Sequence, residues 1–137
     1  MSLSAENLQK VPLFKDLSSR DLKQLAGAMN ERTYAAGREI TTEGESGLGF
    51  FVVADGTATV TIDGTTRRQL GPGDHFGEMA LIDGGRRSAQ VTAETDLTCY
   101  GMTAWNFKPF LKDHPDLVWS LLETLVARLR EAEARAS

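Results

Sequence analysis

The chain has 137 residues, of which 41% are hydrophobic and 25% charged, with a formal charge of −4 at pH 7. Those proportions suit one globular domain of ordinary size and exclude a disordered or fibrous chain. The single cysteine, Cys99, excludes an internal disulfide and a cysteine-built metal cage.

A mildly acidic balance without a Lys/Arg run disfavours nucleic acid as a partner. No stretch has the length of a membrane span and the N-terminus lacks the apolar core of a signal peptide, so the expected setting is cytoplasmic, without membrane contact. Three zones read as one domain over 1–137: a helical start at 1–31, a strand-rich centre at 32–103 and C-terminal helices at 104–137. In the first, Leu13, Phe14 and Leu17 precede Ser18-Ser19-Arg20-Asp21, which resembles a capping box with Asp in place of Glu. Leu22, Leu25, Ala26 and Met29 then recur at helical spacing as one apolar face.

In the centre, Phe50-Phe51-Val52-Val53 is a compact apolar strand, and Ala58, Val60 and Ile62 alternate with Thr57, Thr59 and Thr61 as in a half-buried one. Asp63-Gly64 follows directly and predicts a type I′ hairpin turn, whose two central residues need positive φ. Gly37, Gly44, Gly56, Gly71 and Gly73 mark further turns. Ser88 to Thr95 and Leu97 to Met102 supply later strands, the second burying Cys99 as an inert thiol. Short strands at this spacing predict a mainly β fold, an antiparallel sandwich or barrel.

In the last zone Asn106 is expected to cap a helix that keeps Pro109 in its first turn, with Trp105 packed at the junction of sheet and helix. A break at Asp113-His114-Pro115 starts a second helix. Val118, Leu122, Leu125, Leu129 and Ala132 form a narrow apolar seam that Leu117 and Leu121 widen, and Glu131 with Arg135 makes an i,i+4 pair. Packing on its own domain and a homodimer contact both account for such a seam.

The chemistry lies between Phe76 and Ala93. A strand-to-helix turn at Gly77 lets backbone N–H groups face outward, and the free amides of a short helix over Gly77–Leu81 suit an anion. Beyond the Gly84-Gly85 bend, Arg86, Arg87 and Ser88 offer an arginine fork for two phosphate oxygens and a hydroxyl for a third bond. Glu78 discriminates. A carboxylate repels a bare phosphate, but it accepts hydrogen bonds from a sugar hydroxyl while amides and arginine hold the phosphate. The combination describes a ligand with one negative charge and a free ribose 2′-hydroxyl beside it.

These residues resemble the phosphate-binding cassette of cyclic-nucleotide-binding domains, as in protein kinase A regulatory subunits, cyclic-nucleotide-gated channels and catabolite activator proteins. Phe76, Gly77, Glu78, Ala80, Leu81, Arg87, Ser88, Ala89 and Val91 fit the family's pattern. Gln90 stands where Thr is common and Arg86 where Pro is frequent. The resemblance implies an antiparallel β jelly roll, or double-stranded β-helix, flanked by N-terminal and C-terminal α-helices. It implies that Arg87 pairs with the cyclic phosphate and Glu78 binds the ribose 2′-hydroxyl. Gly77, the amides near Met79 and Ala80, and the Ser88 hydroxyl and amide complete the shell. A residue of the last helix or of a partner subunit covers the purine; Trp119 is the first candidate, with Leu122 and Arg128 behind it. The implied ligand is cyclic AMP or cyclic GMP, cyclic AMP slightly favoured, with no cofactor. The implied switch draws the final helix onto the cassette.

An enzyme is not expected. A cupin-type metal centre needs clustered histidines, whereas His75 and His114 are far apart, and no Ser/His/Asp or Cys/His arrangement stands out. His75 is expected in a turn beside the cassette and His114 in a hinge. Two further readings stay open: a domain of the same fold that dimerises without a ligand, and a sensor piece of a longer transcription regulator, channel or kinase.

Overall fold

A computed structural model of the chain describes residues 4–41, 49–83 and 89–136. The chain enters through α1 (Ala5–Gln9), a 3-10 turn at Pro12–Phe14 and α2 (Ser19–Ala28). Strands β1 (Asn30–Tyr34), β2 (Glu39–Thr41), β3 (Gly49–Asp55), β4 (Ala58–Ile62), β5 (Thr65–Leu70) and β6 (His75–Phe76) follow. After α3 (Glu78–Asp83) come β7 (Gln90–Ala93), β8 (Leu97–Thr103), α4 (Ala104–Asp113) and α5 (Pro115–Ala136). The strands make two antiparallel sheets, ordered β1-β8-β3-β6 and β2-β7-β4-β5.

The sheet built on β3 and β8 is covered on both faces, which is why β3 reads as an unbroken apolar run. Side chains alternate along a strand. Phe50, Val52 and Ala54 of β3, with Tyr100 and Met102 of β8, therefore join the core beneath the helices. Val53, Leu97 and Cys99 point the other way, into the roll, with Ala58, Leu70 and Val91 of the second sheet. Cys99 is fully buried, and burial pushes its thiol up to about 12. Asp63 and Gly64 take φ of 52° and 77°, the two positive values the hairpin between β4 and β5 demands.

The helices pack on the outer face of that sheet. Ser18 caps α2 by accepting a hydrogen bond from the Asp21 N–H at 3.1 Å, and Leu22, Leu25 and Met29 are buried. Phe107 of α4 meets Phe50 with ring centroids 5.0 Å apart. His114, at the α4–α5 joint, stacks on Phe110 at 3.9 Å and sets Nε2 3.3 Å from Asp21 Oδ1, which ties the start of α5 to α2. Leu117 and Leu121 then anchor the first half of α5.

Several expectations are corrected. The first strand begins at Asn30, two residues before the expected boundary. Helix α4 starts at Ala104, not after Asn106, so Pro109 lies inside it. Proline removes the donor for the carbonyl four residues earlier, that of Trp105, and water can satisfy this carbonyl because Trp105 is 86% exposed rather than packed at the junction. Phe107 fills that junction instead. The α5 seam splits in two: Leu117, Leu121 and partly buried Leu125 face the core, while Leu122 and Leu129 are exposed with Trp119 and Val126. Glu131 and Arg135 form no ion pair among the described residues, and Arg135 turns to line a cavity.

Candidate functional site

Strand β6 hangs from β3 through the pairs Phe51↔Phe76 and Val52↔His75, with the Phe51 and Phe76 rings stacked at 5.1 Å. The chain then reverses at Gly77, whose φ of 95° is costly for any residue with a Cβ, and enters α3 at Glu78. This turn carries Glu78 inward rather than out to solvent. Its carboxylate is 1% exposed.

A buried carboxylate needs partners, because an unpaired charge is far costlier than an unpaired dipole. Two are present. Arg128 Nη1, from α5, donates to Glu78 Oε1 at 2.6 Å, and Arg128 Nη2 donates to the His75 carbonyl at 3.3 Å. His75 Nδ1 lies 3.0 Å from the same Oε1. The length suits a hydrogen bond but the alignment does not, and neither ring nitrogen has a hydrogen-bond partner among the described residues. Burial raises the Glu78 pKa, but the His75 contact and charge, the Arg128 guanidinium and the residue's own backbone N–H together outweigh it. The net result lies below the ordinary carboxylate value.

Above this carboxylate opens a cavity of about 370 Å³, the size of a pocket for one small molecule. Gly77, Glu78, Met79 and Ala89 form its cassette end; Val60, Ile62 and Val91 give an apolar wall. Arg67 and Arg68 of β5, with Arg128 and Arg135 of α5, also line the cavity, so that four arginines stand against one carboxylate among its lining residues. A cleft in which one sign of charge predominates focuses its field on an incoming anion, here on a protein whose overall charge is negative. Burial and the neighbouring Arg128 lower the Arg68 pKa, opposed by Asp74, Glu78 and Glu131.

Gly77, Glu78 and Met79 thus meet at the cavity, and Ala80 lies in α3. Arg87 and Ser88 fall outside the described residues, as do Gly84, Gly85 and Arg86. Of the three candidates for covering a base, Arg128 lines the cavity, whereas Trp119 and Leu122 do not and are exposed. His75 sits buried in β6, not in a turn. Sequence reasoning missed its contact with Glu78, and missed Arg67, Arg68 and Arg135. Among the described residues no group of His, Cys, Asp or Glu could hold a metal ion, and no helix is long and apolar enough to cross a membrane.

A jelly roll closed by a cassette turn, with a buried glutamate facing an arginine-lined cavity, defines a small-molecule-binding β-roll domain. The family profile described as "Cyclic nucleotide-binding domain" matches residues 31–114, more than half of the chain, and the chain belongs to that family. It is 36% identical over 119 residues to a cyclic nucleotide-gated potassium channel of Rhizobium etli, covering 86% of this chain and 33% of the channel. A cAMP-dependent protein kinase regulatory subunit of Yarrowia lipolytica is 40% identical over 92 residues, 66% of this chain and 24% of that one. The crystal structure of the Thermus thermophilus catabolite activator protein superposes with a TM-score of 0.83 at 31% identity, covering 91% of this chain and 61% of the other. The chain therefore spans a third or less of the first two relatives.

Proposed function

We propose that the chain is a cyclic-nucleotide sensor module, and that a ligand in the cavity is read out at α5. The observation that carries this is the placement of Glu78, buried under an arginine-lined cavity and tied to Arg128 of the last helix. Both contacts described above fall on Oε1, while a carboxylate has acceptor sites to spare; the ribose 2′-hydroxyl is assigned to Oε2. By resemblance to the family, Arg87, Ser88 and the cassette amides take the cyclic phosphate. The purine then lies between the Val60–Val91 wall and Arg128, which replaces Trp119 as the residue covering the base. The relatives' names support this ligand class, one being cyclic nucleotide-gated and another cAMP-dependent.

A ligand that engages Glu78 alters the same carboxylate that holds α5. Occupancy and helix position are thereby linked, provided that the ligand binds the two arrangements with different affinity. Catalysis, a cofactor, nucleic acid and membrane contact have no part in this reading, which places the chain in the cytoplasm as one functional unit over 1–137. Calorimetric titration with cyclic AMP and cyclic GMP, on wild type and Arg87→Ala, tests it. Saturable heat in wild type that weakens at least tenfold in the variant supports the proposal; no heat from either nucleotide refutes it and leaves a fold without a ligand.

The exposed face of α5 favours a second copy as partner. Trp119, Leu122, Val126 and Leu129 follow one another at steps of three, four and three, and Trp119 is 65% exposed. That spacing is the seam of a two-stranded coiled coil, and an identical helix matches it by two-fold symmetry. The cyclic AMP preference expected from the sequence is tested by the same titration, as the tighter of the two affinities.

A further inference from the structure

The joint between α4 and α5 is a single residue, His114. Its backbone serves both helices. The His114 N–H donates to the Leu111 carbonyl at 3.2 Å and closes α4. Its own carbonyl accepts the first N–H groups of α5, from Leu117 at 3.0 Å and Val118 at 3.3 Å. With φ of −134° and ψ of 75°, the residue leaves the helical region, and the direction of α5 is set here.

The imidazole is buried between three groups. Nδ1 lies 2.8 Å from the Phe110 carbonyl, one of those left over at the end of α4. Nε2 lies 3.3 Å from Oδ1 of Asp21, in the first turn of α2. The Phe110 ring stacks on the imidazole with 3.9 Å between centroids and 12° between planes. A neutral imidazole has one N–H and one lone pair. With the proton on Nδ1, the Nε2 lone pair faces a carboxylate; with it on Nε2, the Nδ1 lone pair faces a carbonyl. Either tautomer sets two acceptors against each other. Only the imidazolium, a donor at both nitrogens, suits both oxygens.

The surroundings favour that charge further. A cation is stabilised at the C-terminal end of α4 and over an aromatic face, and the Asp21 carboxylate at the N-terminal end of α2. No other charged side chain stands within ion-pairing distance of His114 among the described residues. Lys112 and Asp113 of α4 and Asp116 of α5 are exposed, and Asp16, ahead of α2, receives the Ser120 hydroxyl of α5 instead.

We infer that His114 is a proton-dependent clamp on the α4–α5 joint. As imidazolium it ties the start of α5 to both α4 and α2; on losing its proton it turns one tie repulsive, and the joint slackens. Histidine changes charge between about pH 5 and 8, so the clamp is whole on the acid side of that range and is lost as the pH rises through it. Helix α5 is thereby held at two points, at its start by His114 and about four turns further on by Arg128. The clamp acts on α5 whatever molecule the cavity takes.

Urea unfolding of the whole chain at about pH 5.5 and about pH 8.5 tests this on wild type, His114→Gln, Asp21→Asn and the double variant. Glutamine keeps a polar side chain of similar reach that does not titrate. At the lower pH the cycle is expected to give a coupling of about threefold or more in the unfolding equilibrium constant, as for residues in contact, and little or none at the higher. His75, the chain's other histidine, is untouched in all four proteins, so any effect of its protonation cancels. The joint itself is read by amide exchange at Leu117 and Val118, corrected for the intrinsic rate. Protection there should be about threefold greater in wild type than in Asp21→Asn at the lower pH, and equal at the higher. Coupling of the same size at both pH values, or protection that ignores Asp21, overturns the clamp. Nitrogen NMR of wild type needs no variant to fold: both ring nitrogens of His114 should carry protons at the lower pH, and a neutral tautomer there overturns the clamp as well.

Discussion

Replacing Arg128 with Met keeps the aliphatic stem on α5 and removes the charge opposite Glu78. The lost contact is a charge-assisted hydrogen bond of 2.6 Å to a carboxylate that is 1% exposed. Removing one partner of a fully buried ion pair costs about 3–5 kcal/mol. Two features reduce that here: the Arg128 side chain is 25% exposed, and His75 Nδ1 stays 3.0 Å from the same oxygen. A loss of about 2 kcal/mol follows, within the range for hydrogen bonds to charged groups, and lowers Tm by roughly 8 °C in a domain of this size. Thermal melts of wild type, Arg128→Met, Glu78→Gln and the double variant, without nucleotide, form a cycle whose coupling is about 1–2 kcal/mol.

The same experiment has a pH arm. Glu78 has its folded pKa below the reference value of 4.5, so its ionised form contributes stability that is fully present above about pH 4.5 and is lost as the pH falls through the lower folded value. The gap between wild type and Arg128→Met is therefore constant near neutrality and closes in acid. A variant within ~0.5 kcal/mol of wild type, a sub-threshold effect of ordinary surface changes, would refute the pairing. So would a gap that persists unchanged at low pH.

Cys99, buried in the roll with its thiol pushed up to about 12, should resist a thiol-specific reagent at pH 8 in the folded protein and react at once in denaturant; labelling of the folded chain at the free-thiol rate would contradict its burial. Leu122→Glu and Leu129→Glu each set a charge in the exposed α5 seam. If a second copy docks there, sedimentation should shift toward monomer in both variants while folding stability at low concentration stays within about 0.5 kcal/mol of wild type. Wild type that sediments as a monomer at all accessible concentrations rules the seam out.

Local signals were legible in the sequence where one residue type has one physical use. Asp63-Gly64 announced a turn that needs positive φ twice, Ser18 announced a cap, and Pro115 opened a helix as expected. The cassette turn was legible because Gly77 and Glu78 belong to a pattern of several residues at fixed spacing, within the stretch that matches the family. What stayed hidden was parity and reach. Nothing in Thr65 to Leu70 reveals that Arg67 is skipped in the pairing, so the inward face of Arg68 could not be counted from alternation. Likewise Arg128 lies 50 residues from Glu78, and only the packing of Leu117 and Leu121 on the core aims that face of α5 at the cassette. Trp119 drew attention as an aromatic, yet helical phase, not residue type, decides which side chain meets the cavity.

The claim that a buried carboxylate receives the sugar of a cyclic nucleotide is tested most directly by removing one oxygen from the ligand. Titrating wild type with the tighter-binding of cyclic AMP and cyclic GMP and with its 2′-deoxy analogue should give a clear affinity loss for the analogue, about tenfold for one charge-assisted hydrogen bond, and Glu78→Gln should narrow that difference. Equal binding of the two nucleotides, or no binding of either, would contradict it.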